Sequence, residues 1–300
     1  PENIIGPILE HGVTHMFGSP ALLDRVGRWG EARGVKLPSL KRVVSAGAPV
    51  SAKVMERFAK LLSPGVEIHT PYGATEALPV SSISSSELLS RTRQASARGK
   101  GVCVGRPLKG VELRVIRVTE EELPEWSEIL LSPLGEVGEL LVCGPQVTRE
   151  YFGRPKATAL AKVRFPDSSV GHRMGDLGYL DEEGRVWFCG RKSQRLLTEH
   201  GPMYTLPCEG VFNAHPGVYR SALVGVGDPP AQRPVLVVEL EKDTEPSRAL
   251  REELLELGSG FEHTRPIRDI LFHPSLPVDI RHNSKIFREK LALWAAERVK

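Results

Sequence analysis

Over its first hundred residues the chain alternates short apolar runs with capped amphipathic stretches, and that alternation admits little besides a layered α/β sheet. Thr14 to Phe17 reads as a strand. Ser19 followed by Pro20 supplies an N-cap and a proline at the first helical position, and Leu22, Leu23 and Val26 give the ensuing helix, to about Arg33, an apolar face. Lys41 to Ser45 is a second strand, Ser51 caps a helix carrying Val54, Phe58, Leu61 and Leu62, and Val66 to Thr70 is a third strand. The order is that of βαβ units. Ser81 to Gly101, rich in Ser, Arg and Gly, reads as solvated loop or as a polar helix flanked by loop.

From Val111 the texture changes to strands separated by Gly-rich turns: Val111 to Val118, Val137 to Cys143, and a pair joined at Asp181-Glu182-Glu183-Gly184. After Gly190-Arg191 a third region carries a helix over Pro207 to Ala214, strands at Ser221 to Val226 and Val235 to Glu241, and a charged helix after Pro246. With 300 residues, 40% of them hydrophobic, the chain can bury more than one core.

The same numbers exclude several functions. Lysine and arginine number 40 against 37 aspartates and glutamates and are scattered, so there is no electrostatic footprint for nucleic acid. Cys103, Cys143, Cys189 and Cys208 lie far apart without a C-x-x-C pair, as reduced cytoplasmic thiols do, rather than a disulfide or zinc framework. No apolar run approaches the roughly 20 residues of a membrane-spanning helix, and no basic-then-apolar leader opens the sequence. A soluble cytoplasmic protein is expected. His11 and His15 have the i,i+4 spacing of a metal pair, but Gly12 and the following strand break the helix that would align them.

The residues with chemistry cluster in short motifs. Tyr72-Gly73-Ala74-Thr75-Glu76 follows the third strand directly, at the carboxyl end of an α/β sheet where such sheets bind ligands. There a threonine hydroxyl can donate to phosphate, a glutamate can hold magnesium and a tyrosine face can cover a planar base. Taken alone, the five residues fit a glycine turn with a helix-capping threonine equally well. Gly47-Ala48-Pro49 ends the preceding strand and leaves backbone groups open to a base edge, although an ordinary turn accounts for it too. Asp176, in Arg173-Met174-Gly175-Asp176-Leu177-Gly178-Tyr179, can accept from both hydroxyls of a ribose, or be an acidic turn.

Taken in order, Gly47-Ala48-Pro49, Tyr72 to Glu76, Gly175-Asp176 before a hairpin, Gly190-Arg191, His215-Pro216 and Lys285 in Asn283-Ser284-Lys285-Ile286-Phe287-Arg288 resemble the AMP-forming adenylating superfamily of acyl-CoA synthetases, luciferases and peptide-synthetase adenylation domains. The resemblance runs through the whole chain. It implies an acyl-CoA synthetase-like adenylation fold truncated at its amino end: an α/β part over 1–104, a β-rich subdomain over 105–191, and a small mobile α+β domain over 192–300. It implies ATP and Mg2+ as cofactors. Gly47, Ala48, Pro49, Tyr72 and Gly73 would line the adenine site with Tyr72 stacked on the base, Thr75 would meet phosphate, Glu76 the metal, and Asp176 and Arg191 the ribose. Lys285 matches the family's catalytic lysine, whose ammonium bridges the carboxylate and α-phosphate. A hinge is implied at Lys192-Ser193.

Here the pattern departs from the thioester-forming members, with Leu197-Thr198 in place of an Ile-Lys pair. Pro71 to Ser81, Asn213 to Arg220 and Val278 to Lys285 resemble instead the branch that makes β-lactones in bacterial long-chain olefin biosynthesis. That branch implies a long-chain β-hydroxy acid as substrate, leaves room for assembly with other olefin-pathway enzymes, and needs no coenzyme A. An ordinary fatty acyl-CoA ligase, acting on a fatty acid and consuming coenzyme A, is the rival, and a non-catalytic acyl- or nucleotide-binding module is the third reading. Nothing in the sequence fits the lysine-bearing phosphate loop of the superfamily or a G-x-x-x-x-G-K-[ST] loop, so the chain is expected to start downstream of it and to be inactive alone.

Overall fold

A computed structural model describes residues 1–279 and 285–299. Helix α1 (Glu2–His11) stops at Gly12, whose φ of 62° is the left-handed conformation that closes a helix, and strand β1 (His15–Gly18) follows. Ser19 accepts from the Leu22 amide at 3.3 Å to open α2 (Pro20–Ala32). Strand β2 (Arg42–Ser45) leads to α3 (Ala52–Ala59), capped by Ser51 through the amide of Val54. Strands β3 (Glu67–Ala74) and β4 (Ala77–Ser84) come next. The first three strands pair in parallel and β4 returns antiparallel on β3. Leu23 and Val26 of α2 and Met55 and Phe58 of α3 are buried in one cluster with Val43 and Ile68 of the sheet. Full burial of each such side chain contributes about 1.5–3 kcal/mol, so apolar spacing rather than helix propensity holds this layer.

The serine-rich segment is more ordered than its composition suggests. Ser81 to Ser84 belong to β4, and Ser84 caps α4 (Ser85–Glu87), which continues through a π turn (Leu88–Thr92) into α5 (Arg93–Ala97). Leu88 and Thr92 are buried, and Ser85 Oγ accepts from the Ile68 amide and donates to Glu67. Ser85 therefore satisfies polar groups of the sheet instead of facing water, and Ser84 those of a helix end.

Two short strands, β5 (Val102–Cys103) and β6 (Arg106–Pro107), carry the chain between layers. Beyond them lie β7 (Glu112–Ile116), β8 (Gly138–Cys143), α6 (Pro155–Ala161), β9 (Lys162–Arg164), β10 (Val170–Leu180) and β11 (Val186–Arg191). Strand β6 edges the first sheet beside β4, while the second sheet runs β5-β11-β10-β8-β7 with β9 on β10. Leu113, Val115, Leu140, Val142 and Val186 of the second sheet share a cluster with Ala77 and Val80 of the first, and Tyr72 packs against it. The tip of the first sheet is thus set on a face of the second.

The remaining chain makes a hairpin of β12 (Leu196–Thr198) and β13 (Gly201–Met203), then α7 (Thr205–Asn213), β14 (Val218–Val226), β15 (Arg233–Leu240), α8 (Arg248–Ser259), β16 (Asp269–Phe272) and α9 (Arg288–Ala296). Alternation along β14 and β15 separates two cores. Leu223, Leu236 and Val238 pack with Phe212 of α7 and Leu254 of α8, whereas Ala222, Val224, Val235 and Val237 pack with Leu291 and Ala295 of α9. This region contacts the first helices through Arg28 and Glu241, 3.1 Å apart, and through Lys53, which donates to the carbonyls of His215 and Val218 at 3.0 Å. Among the described residues no helix is long and apolar enough to cross a membrane.

Candidate active site

Strand β3 does not stop at Thr70. Pairing of Tyr72 with Ser81 and of Ala74 with Ala77 extends it to Ala74, so Thr75 and Glu76 form the tip of a β-hairpin rather than a loop after a strand. The extension was hidden in the sequence because its partner strand, beginning at Ala77, runs on into the serine-rich segment. Thr75 is exposed and Glu76 half-buried. On the neighbouring parallel strand β2, the chain leaves the sheet at Ser45, and Gly47 takes a φ of 100° that a side chain would strain. Gly47 and Pro49 are exposed and Ala48 half-buried, at the carboxyl end of β2.

Tyr72 Oη donates to Asp176 Oδ2 at 2.6 Å, and the Arg191 guanidinium lies 2.9 Å from Asp176 Oδ1. The three side chains come from β3, β10 and β11, with Asp176 and Arg191 directly opposite each other in the ladder. A bulge makes the meeting geometrical: the pairing of β10 with β8 slips between Arg173 and Leu177, and Gly175 turns through a left-handed φ of 63°. Burial pushes the Asp176 carboxyl up against the opposing pull of Arg191 and the Tyr72 hydroxyl bond. Burial, with Asp176 beside it, drives the Tyr72 phenol well above its ordinary value. Oδ1 is buried and faces the Arg191 guanidinium, which balances its charge from one side. A carboxylate oxygen carries two lone pairs, so it can accept from a ligand hydroxyl as well as meet a cation. Tyr72 also packs against Phe188, ring centroids 5.8 Å apart.

Glu76 sits in a second polar group that sequence reasoning missed. Tyr151 Oη donates to Glu76 Oε1 at 2.7 Å, and the Thr148 amide donates to the Glu76 carbonyl at 2.9 Å. Lys162, buried, donates to the Thr148 carbonyl and hydroxyl at 2.6 and 3.0 Å. Burial raises the Glu76 carboxyl, but the Tyr151 bond, its own backbone amide and the nearby His172 and Lys162 outweigh it and leave the group below its ordinary value. Burial holds His172 down to about 4 and Lys162 below its ordinary value. No local pattern joins residues 75 positions apart, so only the tertiary fold reveals the Tyr151 contact. Glu76 keeps one carboxylate oxygen outside that bond. A single carboxylate suits magnesium, which prefers one or two carboxylates with waters and substrate phosphates for the rest of its octahedron.

Lys285 lies elsewhere, in the carboxyl-terminal region, with an exposed side chain. Its amide donates to Asp279 Oδ1 at 2.8 Å, its carbonyl accepts from the Asp279 amide at 3.0 Å, and Val278 bridges Ile286. Residues 280–284 of the same motif lie outside the described residues. Three positions on, Arg288 pairs at 2.8 Å with Glu209, which is buried on α7. The hinge expected at Lys192-Ser193 falls in a 3-10 turn, Lys192–Gln194, and Leu197-Thr198 lies within β12.

A family model for AMP-binding enzymes matches residues 1–152. An olefin beta-lactone synthetase of Stenotrophomonas maltophilia strain K279a is 47% identical over 300 residues, covering 99% of this chain and 53% of that protein. Another, of Xanthomonas campestris pv. campestris, is 46% identical over 303 residues, covering 99% and 54%. Among solved structures, the amide bond synthetase McbA of Marinactinospora thermotolerans superposes with a TM-score of 0.80 at 26% identity, covering 98% of this chain and 55% of that one. The chain spans about half the length of the curated relatives it matches.

Proposed function

Because the chain belongs to the AMP-binding enzyme family, we propose that it works as part of an enzyme that uses ATP to adenylate a long-chain β-hydroxy carboxylate and then closes the acyl-adenylate to a β-lactone. In the first step a carboxylate oxygen displaces pyrophosphate from the α-phosphorus. In the second, the substrate's own hydroxyl oxygen attacks the acyl carbon, AMP departs with the bonding electrons, and the hydroxyl proton passes to solvent. Tethering replaces a separate acceptor, and well-oriented intramolecular attack reaches effective molarities of about 10⁵ to 10⁸ M.

Each residue has a task in this reading. Tyr72 stacks on adenine in a pocket edged by Gly47, Ala48, Pro49 and Gly73, and Asp176 accepts from the ribose with Arg191 beside it. Thr75 donates to phosphate and Glu76 holds Mg2+, which supplies charge neutralisation when bound. Lys285 brings its ammonium between carboxylate and α-phosphate. Residues 1–104 act as part of the large domain, 105–191 as its β-rich subdomain, and 192–300 as the mobile domain carrying Lys285.

The observation that carries the choice of product is the likeness, over 99% of the chain, to relatives named for β-lactone synthesis. The departure at Leu197-Thr198 supports it. Full-length protein with ATP, Mg2+ and a long-chain β-hydroxy acid should give β-lactone, AMP and pyrophosphate without coenzyme A, read by mass spectrometry. Acyl-CoA formed with added coenzyme A, and no lactone without it, would sink the reading in favour of an acyl-CoA ligase.

A further inference from the structure

One buried carboxylate, outside the contacts described so far, touches the flanks of both Asp176 and Arg191. Glu139 lies on β8, opposite Leu177 of β10, and both it and Arg173 are almost wholly buried, with side chains 1% and 2% exposed. Arg173 reaches Glu139 Oε2 through Nη2 at 2.7 Å and Nε at 3.2 Å, spanning the bulge that holds Gly175 and Asp176. Lys192, the residue after Arg191, reaches the same oxygen at 3.2 Å. The Thr119 carbonyl accepts from the same two cations, at 2.6 Å from Arg173 and 3.0 Å from Lys192, and Arg173 further donates to the carbonyls of Glu121 and Leu160.

We propose that Glu139 is a positioning residue for the Asp176–Arg191 pair, and thereby for the ribose, an inference that rests on the nucleotide reading of that pair. Asp176 follows Arg173 by three residues across a bulge within β10, and Arg191 ends β11 directly before Lys192, so one carboxylate fixes the two backbone segments that carry the pair. Arg191 itself donates to the Met174 carbonyl at 3.3 Å, so the bulge and the end of β11 are joined from both sides. Stability alone is a poor account of this arrangement. Desolvating a buried ion pair consumes most of its Coulomb gain, and apolar replacements of like volume are often neutral or better. What a charged hub provides, and an apolar plug does not, is a fixed direction for two backbone segments.

The test uses the full-length protein, with AMP binding by calorimetry, steady-state kinetics for ATP, and thermal unfolding. Glu139→Gln should weaken AMP and raise the ATP KM by about tenfold each while kcat changes by less than about threefold, because positioning acts on binding rather than on the chemical step. Should Glu139→Gln fail to fold, the triple variant Glu139→Met, Arg173→Met, Lys192→Met removes all three charges together. A positioning role leaves its AMP affinity down by about tenfold even with the melting temperature restored; recovery of wild-type affinity with the fold overturns the inference. Asp176→Ala is the control. If it weakens AMP and Glu139→Gln does not, the hub is structural only; if Asp176→Ala leaves AMP affinity unchanged, the nucleotide reading itself fails and the inference goes with it.

Discussion

The hydroxyl of Tyr72 donates to Asp176 Oδ2 across 2.6 Å, joining the tip of the first sheet to the bulge of the second. The bond leaves Oδ1 as the oxygen that faces Arg191, 2.9 Å away. Tyr72→Phe keeps the ring but strips Oδ2 of its donor, and a buried acceptor left unpaired costs about 1–3 kcal/mol. The expected outcome is an ATP KM raised by roughly tenfold with full-length protein, with the variant still folded. An unchanged KM in steady-state kinetics would separate Asp176 from the nucleotide.

Tyr151 does for Glu76 what Tyr72 does for Asp176, holding one carboxylate oxygen at 2.7 Å. Tyr151→Phe frees Glu76 to rotate, so the Mg2+ concentration for half-maximal adenylation should rise about three- to tenfold while saturating Mg2+ restores most of the rate. A magnesium titration of pyrophosphate release checks this. Identical titration curves for variant and parent would leave Tyr151 as packing alone.

Much of the fold was legible in local pattern, because Ser19, Ser51 and the apolar spacings of α2 and α3 act within a few residues of where they stand. The candidate site was legible only as separate motifs. Tyr72 and Asp176 are 104 positions apart, and their contact depends on a strand extended by pairing, a bulge at Gly175 and the packing of two sheets. None of these has a local period to read. The same holds for Tyr151 and Lys162, which lie in turns and short elements without a motif, and for Glu139, which in sequence is one polar residue at the edge of an apolar strand.

His172 supplies a pH dependence. It is 3% exposed, burial is the chief reason its value falls from 6.5 to about 4, and Lys162 adds to the effect. Between those values the unfolded chain binds a proton that the folded one refuses. The contribution to stability is therefore present above about pH 6.5, is lost as pH falls towards 4, and is gone below it. Its size is about 3 kcal/mol. Urea unfolding from pH 7 to 4 should show the parent losing more stability than His172→Phe by about that amount. Parallel losses in the two proteins would show that His172 titrates normally.

Lys285 and Arg288 stand three residues apart in one motif, yet they should fail in opposite ways. The Lys285 side chain is exposed, and the bonds that hold it in place are made by its backbone with Asp279. Removing the side chain leaves those bonds intact, so Lys285→Ala should melt with the parent. Acyl-adenylate formation in the full-length protein should nevertheless slow by at least about a hundredfold, some 2.7 kcal/mol of transition-state stabilisation. Arg288 is the reverse case. Its guanidinium meets Glu209, whose carboxyl burial pushes up and Arg288 pulls down, and its Nε donates to Gln194 at 3.3 Å in the turn after Arg191. Arg288→Ala strands a buried carboxylate and should cost about 3–5 kcal/mol of stability. The double variant Arg288→Met, Glu209→Met removes both charges and should recover most of that loss, because the buried site then holds no unpaired ion. Thermal unfolding and single-turnover adenylation, measured on the same samples, separate the two positions. A Lys285→Ala protein that adenylates at the parental rate would remove the ammonium from the chemistry, while an Arg288→Ala protein as stable as the parent would show that Glu209 finds another partner.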